Sequence, residues 1–205
     1  MKVMTGFHGC DASTLTAVLA GETNLRPSTN RYDWLGHGIY FWEGSPKSAL
    51  SYAKGIQSQP HRGRGLITKP AVLGAILDLG RCLDLTDPMS LGIVKDAYLR
   101  LTKIAEKYNF SLPKNFSPVG SDVDNVLREL DCAVFSSLHV YYEEIGVKGF
   151  DAIRAPFLEG KPIYPGLGFR EKTHIQICIR NPHCIQGYFN ALDPLNLEYY
   201  KLSEY

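Results

Sequence analysis

Residues 36–55 read GHGIYFWEGSPKSALSYAKG, and this stretch decides the fold. Gly38–Trp42 is aromatic and β-branched, which suits a pleated strand. Ser45-Pro46 then announces a helix. The serine hydroxyl accepts from a free amide of the first turn, and proline sits where its missing N–H costs nothing. Gly55 is expected to stop that helix. Ser48 and Tyr52 lie four apart, hence on one helix face. A strand that turns straight into a capped helix therefore brings Tyr40, Ser48 and Tyr52 near one another.

Strands lie outward on both sides. Met4–His8 is short and opens the chain. Ala71–Leu79 (AVLGAILDL) is a nearly continuous apolar run, as in a strand buried on both faces. Phe150–Ala155 alternates. In Thr173–Ile179 (THIQICI), Ile175, Ile177 and Ile179 share one face, with His174, Gln176 and Cys178 on the other. Two helices fill the middle. Asp87-Pro88 opens the first, with a stripe of Leu91, Val94, Tyr98, Leu101, Ala105 and Tyr108. Ser121 with Asp124 opens the second, whose stripe runs Val123, Val126, Leu130, Val134, Leu138, Tyr141 and Ile145 up to Gly146. The pattern is α+β, a single domain over 1–205 with a helical insertion at about 87–146.

The bulk numbers exclude other classes. Of 205 residues, 44% are hydrophobic and 21% charged, which is a globular composition and not a disordered one. The net charge of +1 makes no general polyanion-coating surface. No apolar run is long enough to span a membrane, and no leader pattern opens the chain. The five cysteines form no C-x-x-C, so the reading is a reduced, cytoplasmic protein. His174, Cys178, His183 and Cys184 fit no usual zinc spacing, and no metal is expected.

Three stretches follow one another in order: FHGCDASTLTAVLAG (7–21), LRPSTNRYDWLGHGIYFWEGSPKSALSYA (25–53) and AVLGAILDLGRCLDL (71–85). Together they resemble the catalytic domain of ADP-ribosyltransferases of the poly(ADP-ribose) polymerase type. The likeness covers about residues 5–85, picks up again at 173–188, and omits 86–150. It implies split, mixed or antiparallel sheets around a cleft for NAD, which is consumed as a substrate. It also implies roles. His8 would hold the adenosine-side ribose. The Gly9 backbone and Ser48 would take the nicotinamide carboxamide, and Tyr40 and Tyr52 would wall the nicotinamide ring. Arg26 would reach the adenine or pyrophosphate. Gln176 stands where the family usually has a glutamate that binds a ribose hydroxyl, and Glu171, five residues earlier, would supply the missing carboxylate. That departure favours transfer of a single ADP-ribose over polymer growth.

The chemistry suits these residue types. Breaking the nicotinamide–ribose bond passes through a ribosyl cation and requires no enzyme nucleophile. The work is to hold the nicotinamide, stack it, and place an acceptor.

Outside that set, no acidic residue falls between Glu43 and Asp78, whereas Lys47, Lys54, Arg62, Arg64 and Lys69 do. Arg62 and Arg64 are read either as a solvated face or as a phosphate contact to a nucleic acid. Arg154, near Asp151, is either half of a buried pair or a phosphate contact. The turn-rich PIYPGLGF (162–169) is either a connection or an acceptor-recognition loop. The expected acceptor is RNA, DNA or protein. A compact chain of this kind resembles small bacterial toxins or defence effectors, for which a neutralising antitoxin protein is an expected partner. The alternatives are an NAD glycohydrolase and an inactive module that binds NAD or ADP-ribose.

Overall fold

The computed structural model describes residues 3–58, 67–117 and 127–191. Strand β1 (Val3–Asp11) leads into helix α1 (Ala12–Leu19), then β2 (Ile39–Glu43), α2 (Pro46–Ser58), β3 (Pro70–Asp78) and β4 (Cys82–Asp84). Helix α3 (Pro88–Tyr108), the two-residue strands β5 (Asn115–Phe116) and β6 (Leu127–Arg128), and α4 (Glu129–Glu144) make up the insertion. The chain closes with β7 (Ala152–Phe157), β8 (His174–Ile179) and β9 (Ile185–Asn190).

Seven strands form one sheet in the order β4-β7-β8-β2-β1-β3-β9, while β5 and β6 pair by themselves. Every neighbour in the large sheet is antiparallel except β4 with β7. The fold is therefore α+β with a mostly antiparallel sheet and four helices.

The expected split into separate sheets is not seen: the seven strands form one continuous sheet, with a short ladder between β1 and β2. β1 pairs with β3 at nine positions but with β2 at only two, Gly6 opposite Glu43 and Phe7 opposite Trp42. One half, β4-β7-β8-β2, thus meets the other, β1-β3-β9, along a very short ladder.

Strand alternation sorts the core into two faces. Phe41, Leu73, Leu77, Ile177 and Ile179 pack on one face beneath Val18 and Leu15 of α1. On the other face Phe7, Trp42 and Val72 pack against Ala49 of α2. Next to them Ile153, Ala155, Phe157 and Cys178 pack against Ala97 of α3 and Val134, Phe135 and Leu138 of α4. Each large side chain fully buried in this way contributes about 1.5–3 kcal/mol.

Element ends follow local chemistry. The Asp11 carboxylate caps α1 by accepting from the Ser13 amide (2.9 Å) and hydroxyl (2.7 Å). Asp87 caps α3 by accepting from the Met89 amide, and Asn109 ends it at φ +52°. Gly146, at φ +67°, follows α4 as expected.

Three expectations change. Gly55 does not stop α2, which runs on to Ser58; the glycine lies at an exposed position with open space around it. The core stripe of α3 is rotated. Ser90, Ala97 and Ala105 are its buried residues, with Ile93, Val94 and Leu101 half-buried, while Leu91, Tyr98 and Tyr108 are exposed. The second insertion helix begins at Glu129, and Arg128 at its N-cap makes no side-chain cap. Ser121, Val123, Asp124 and Val126 lie outside the described residues. Residue patterning alone also passed over α1, β4 and β9.

Arg154 answers to the buried-pair alternative, but not with Asp151. Its guanidinium forks onto Glu43 (2.5 and 2.9 Å) and reaches Asp84 (3.0 Å). These partners raise its pKa further, and β2, β7 and β4 are tied together across the sheet. Asp151 instead accepts from the Arg81 amide, Lys148 and Asn181.

Candidate active site

Three adjacent strands in the order β8–β2–β1 carry Gln176, Tyr40 and His8. The β1–β2 ladder ends at Phe7 and Trp42. Immediately beyond, the His8 ring takes over: Nδ1–H donates to the Tyr40 carbonyl at 2.8 Å. A carbonyl only accepts, so the proton is on Nδ1 and Nε2 is left as an acceptor. Burial lowers the His8 pKa, so the ring is neutral at pH 7. By alternation His8 belongs with Phe41, whose ring centroid is 5.9 Å away, and so with the α1 face of the sheet, opposite the face of Tyr40, Trp42 and Gln176.

Gly9 follows, pressed against α2. A Cβ there would run into the Ala49 carbonyl oxygen. Only a residue without a side chain lets the helix that carries Ser48 and Tyr52 lie this close to the strand.

Tyr40 is fixed at both ends. Its hydroxyl donates to the Gly36 carbonyl (2.6 Å) and accepts from the Leu35 amide (2.8 Å). Burial holds the phenol well above its usual pKa, and the neighbouring Cys178 thiol is pushed up to about 12. Neither group is available as a nucleophile at neutral pH.

Gln176 is half-buried and lies opposite Trp42, one alternation step from the Tyr40–Cys178 pair on the same face. Among the described residues no hydrogen bond engages its carboxamide. Trp42 packs against the Tyr52 ring at 5.0 Å, and Tyr52 is 48% exposed. The Ser48 hydroxyl accepts from Ser45 at 2.8 Å, which leaves its own proton to donate. The floor of the site is therefore aromatic, with hydroxyl and carboxamide groups around it.

The loop before β2 is built rigidly. Ser28 and Gly38 exchange backbone hydrogen bonds at 2.8 and 3.1 Å. Inside this neck, the buried Asp33 carboxylate accepts from the Ser28 hydroxyl (2.9 Å), the Asn30 amide (2.9 Å) and the Asn30 side chain (3.2 Å). Arg26 is exposed just outside the neck.

Two residues were missed by sequence reasoning. Trp42 shares the face of Tyr40 by simple alternation, a signal present in IYFWE. His174 heads β8, where Nδ1–H donates to the Lys172 carbonyl at 2.6 Å. Its ring lies 5.8 Å from Phe157, 6.3 Å from Trp34 and 6.4 Å from Trp42, so it joins the aromatic floor to the loop ahead of β8.

That loop, 158–173, holds itself together. The Lys172 amide donates to Glu159 and the Glu171 amide to Lys161. Glu171 itself is exposed; its side chain lies beside Gly160, and Oε2 accepts from the Lys161 amide at 3.4 Å. Its carboxylate is thus turned onto its own loop. Ile163, Tyr164 and Phe169 are exposed on the same loop, with Lys161, Arg170 and Lys172 among them.

Arg62 and Arg64 lie outside the described residues. The far stem of their segment is pinned, since Asp11 Oδ2 accepts from the Thr68 amide (2.7 Å), the Thr68 hydroxyl (2.9 Å) and the Lys69 amide (2.9 Å). Among the described residues no cluster of His, Cys, Asp and Glu side chains is placed to hold a metal, and no helix is long and apolar enough to cross a membrane. No protein-family model matches the chain, and neither a curated protein nor a solved structure does.

Proposed function

We propose that the chain is an NAD-dependent mono-ADP-ribosyltransferase. One observation carries this reading. His8, Tyr40 and Gln176 come from distant parts of the sequence onto three neighbouring strands, at the point where the β1–β2 ladder stops.

In this reading nicotinamide lies on the Trp42–Tyr52 floor beside Tyr40, and Ser48 and the Gly9 backbone grip its carboxamide. Where the ligand crosses the end of the β1–β2 ladder, neutral His8 accepts a hydrogen bond at Nε2 from the adenosine-side ribose, and the Gln176 carboxamide holds the other ribose on the Trp42 face. The bond from ribose C1′ to the nicotinamide nitrogen breaks, and its electron pair leaves with nicotinamide. An acceptor nitrogen or oxygen then bonds C1′ and gives up its proton to water. The raised pKa of Tyr40 and Cys178 supports a path without a covalent enzyme intermediate.

The acceptor we favour is a nucleic acid. Exposed aromatic side chains interleaved with lysine and arginine on the 158–173 loop suit base stacking and phosphate pairing, and Arg62 and Arg64 add charge in sequence. The test is direct. Purified protein is incubated with labelled NAD and a total cell extract, and portions are digested with protease, RNase or DNase. Label lost to a nuclease supports the reading, and label lost only to protease moves the acceptor to protein. Nicotinamide release at full rate without any macromolecule would make the protein a glycohydrolase. No NAD consumption at all would leave a binding module.

A further inference from the structure

We infer that Arg128, at the start of α4, is a positioning residue for Tyr40, so that the helical insertion sets one wall of the site. This rests on the proposed role of Tyr40 at nicotinamide. Tyr40 takes its place from the 28–38 loop, through the Leu35 amide and the Gly36 carbonyl. The loop in turn leans on α4 at several points. Arg31 pairs with Glu129 at 2.9 Å, and the Cys132 thiol donates to the Asn30 carbonyl at 3.3 Å. Gly36 lies so close to Phe135 that an added Cβ would stand 3.1 Å from it.

Arg128 joins these contacts to the sheet. Its guanidinium lies over the Trp34 ring (4.4 Å to the centroid) and the Phe157 ring of β7 (5.2 Å), and Trp34 and Phe157 pack edge to face at 4.6 Å. Asp131 fixes the charge at 3.2 Å. Asp131 is itself fixed by Asn115, which donates to its carboxylate and accepts from the Leu130 and Asp131 amides. The guanidinium Nε–H is buried without a hydrogen-bond partner among the described residues. A cation placed this way offers its flat faces to the two rings while one terminal nitrogen donates to Asp131. The residue next to Trp34 is Leu35, whose amide holds the Tyr40 hydroxyl. Withdrawing the cation frees Trp34, and Leu35 moves with it.

The test compares Arg128→Ala and Arg128→Lys with Arg100→Ala. Arg100 lies 3.6 Å from the Tyr141 ring centroid on the same helical pair, away from the loop, and reports the general effect of removing a guanidinium from a ring. The first readout is hydrogen exchange of the Leu35 amide by NMR, which requires no ligand. The second is the split between KM and kcat for NAD consumption, and the third is the thermal midpoint. Arg128→Ala should speed Leu35 exchange about tenfold and raise KM for NAD about three- to tenfold with kcat changed less. Arg128→Lys, which keeps a cation but no flat stack, should fall between parent and alanine on both. Should Arg128→Ala not fold, the lysine variant carries the same comparison. Leu35 exchange and KM moving no more than in Arg100→Ala would overturn the proposal. If the parent consumes no NAD, the enzymatic reading fails, and Leu35 exchange alone decides the positioning role.

Discussion

Gln176 carries no charge, so in the proposed reaction it offers a ribosyl cation a hydrogen bond and no counter-charge. Removing that bond should still cost catalysis: Gln176→Ala is expected to lower kcat/KM for NAD at least tenfold, roughly 1.4 kcal/mol in the barrier. Glu171→Gln should stay within about threefold of the parent, because its carboxylate already faces the Lys161 amide on its own loop. Steady-state kinetics of nicotinamide release measure both, and a tenfold loss at Glu171 would give the charge back a catalytic role. The sequence points to His8, Tyr40, Ser48, Tyr52 and Gln176 through the order of several short stretches and the resemblance that order carries. It does not mark Arg128, Trp34 or His174, whose meaning comes from rings supplied by other elements. A cation over two distant rings leaves no period and no spacing.

Among the elements, the contact of β1 with α2 is the least forgiving. Gly9→Ala places a methyl against the Ala49 carbonyl, which is backbone and cannot rotate away. Overpacking of this kind costs about 1–3 kcal/mol, seen as a lower urea midpoint. Gly55→Ala should do the reverse. It sits exposed in the continuing helix with open space around it, and a gain of about 0.4–1 kcal/mol follows from restricting the unfolded chain. The same helix shows why some elements were legible and others not. Pro46 and Asp87-Pro88 mark starts because capping is local chemistry. Gly55 misleads because a glycine terminates a helix only when the next residues leave it, and here Ile56 is half-buried. The α3 face was misread for a related reason. The helix buries Ser90, Ala97 and Ala105 most deeply, with Ile93, Val94 and Leu101 beside them, while Leu91, Tyr98 and Tyr108 face outward, so size alone pointed away from the core. β4 and β9 are short or polar edge strands, and their pairing comes from partners far along the chain.

For the whole molecule, acid should act in two stages. The pKa values of His8 and His139 are lowered from 6.5, in both cases mainly by burial. The unfolded chain takes up these protons first, so stability is full above pH 6.5 and declines as pH falls below it. Asp11, Asp84 and Asp151 are lowered from 3.8. For Asp11 the Lys69 and Ser13 hydrogen bonds are the main cause, while for Asp84 and Asp151 hydrogen bonds and nearby cations outweigh an opposing burial effect. Their stability is present above 3.8 and is lost as pH falls through the lower folded values. Thermal midpoints should therefore hold level from pH 8 to about 6.5, slope down below that, and slope again below about 4. His8→Gln with His139→Gln should flatten the first slope and leave the second. A first slope unchanged in the double variant would assign it to other groups.

The pairing of β2 with β8 joins Ile39 to Ile179. A chain emerging from the ribosome therefore completes β1, β2 and β3 long before the strand that lies beside β2 has been made. Until β8 has left the exit tunnel, one edge of Ile39–Glu43 stays open, and Trp42 lacks Gln176 as its partner on that side. In the proposed reading this order of synthesis separates the parts of the site: fragments released early carry His8, Tyr40, Ser48 and Tyr52 but not Gln176.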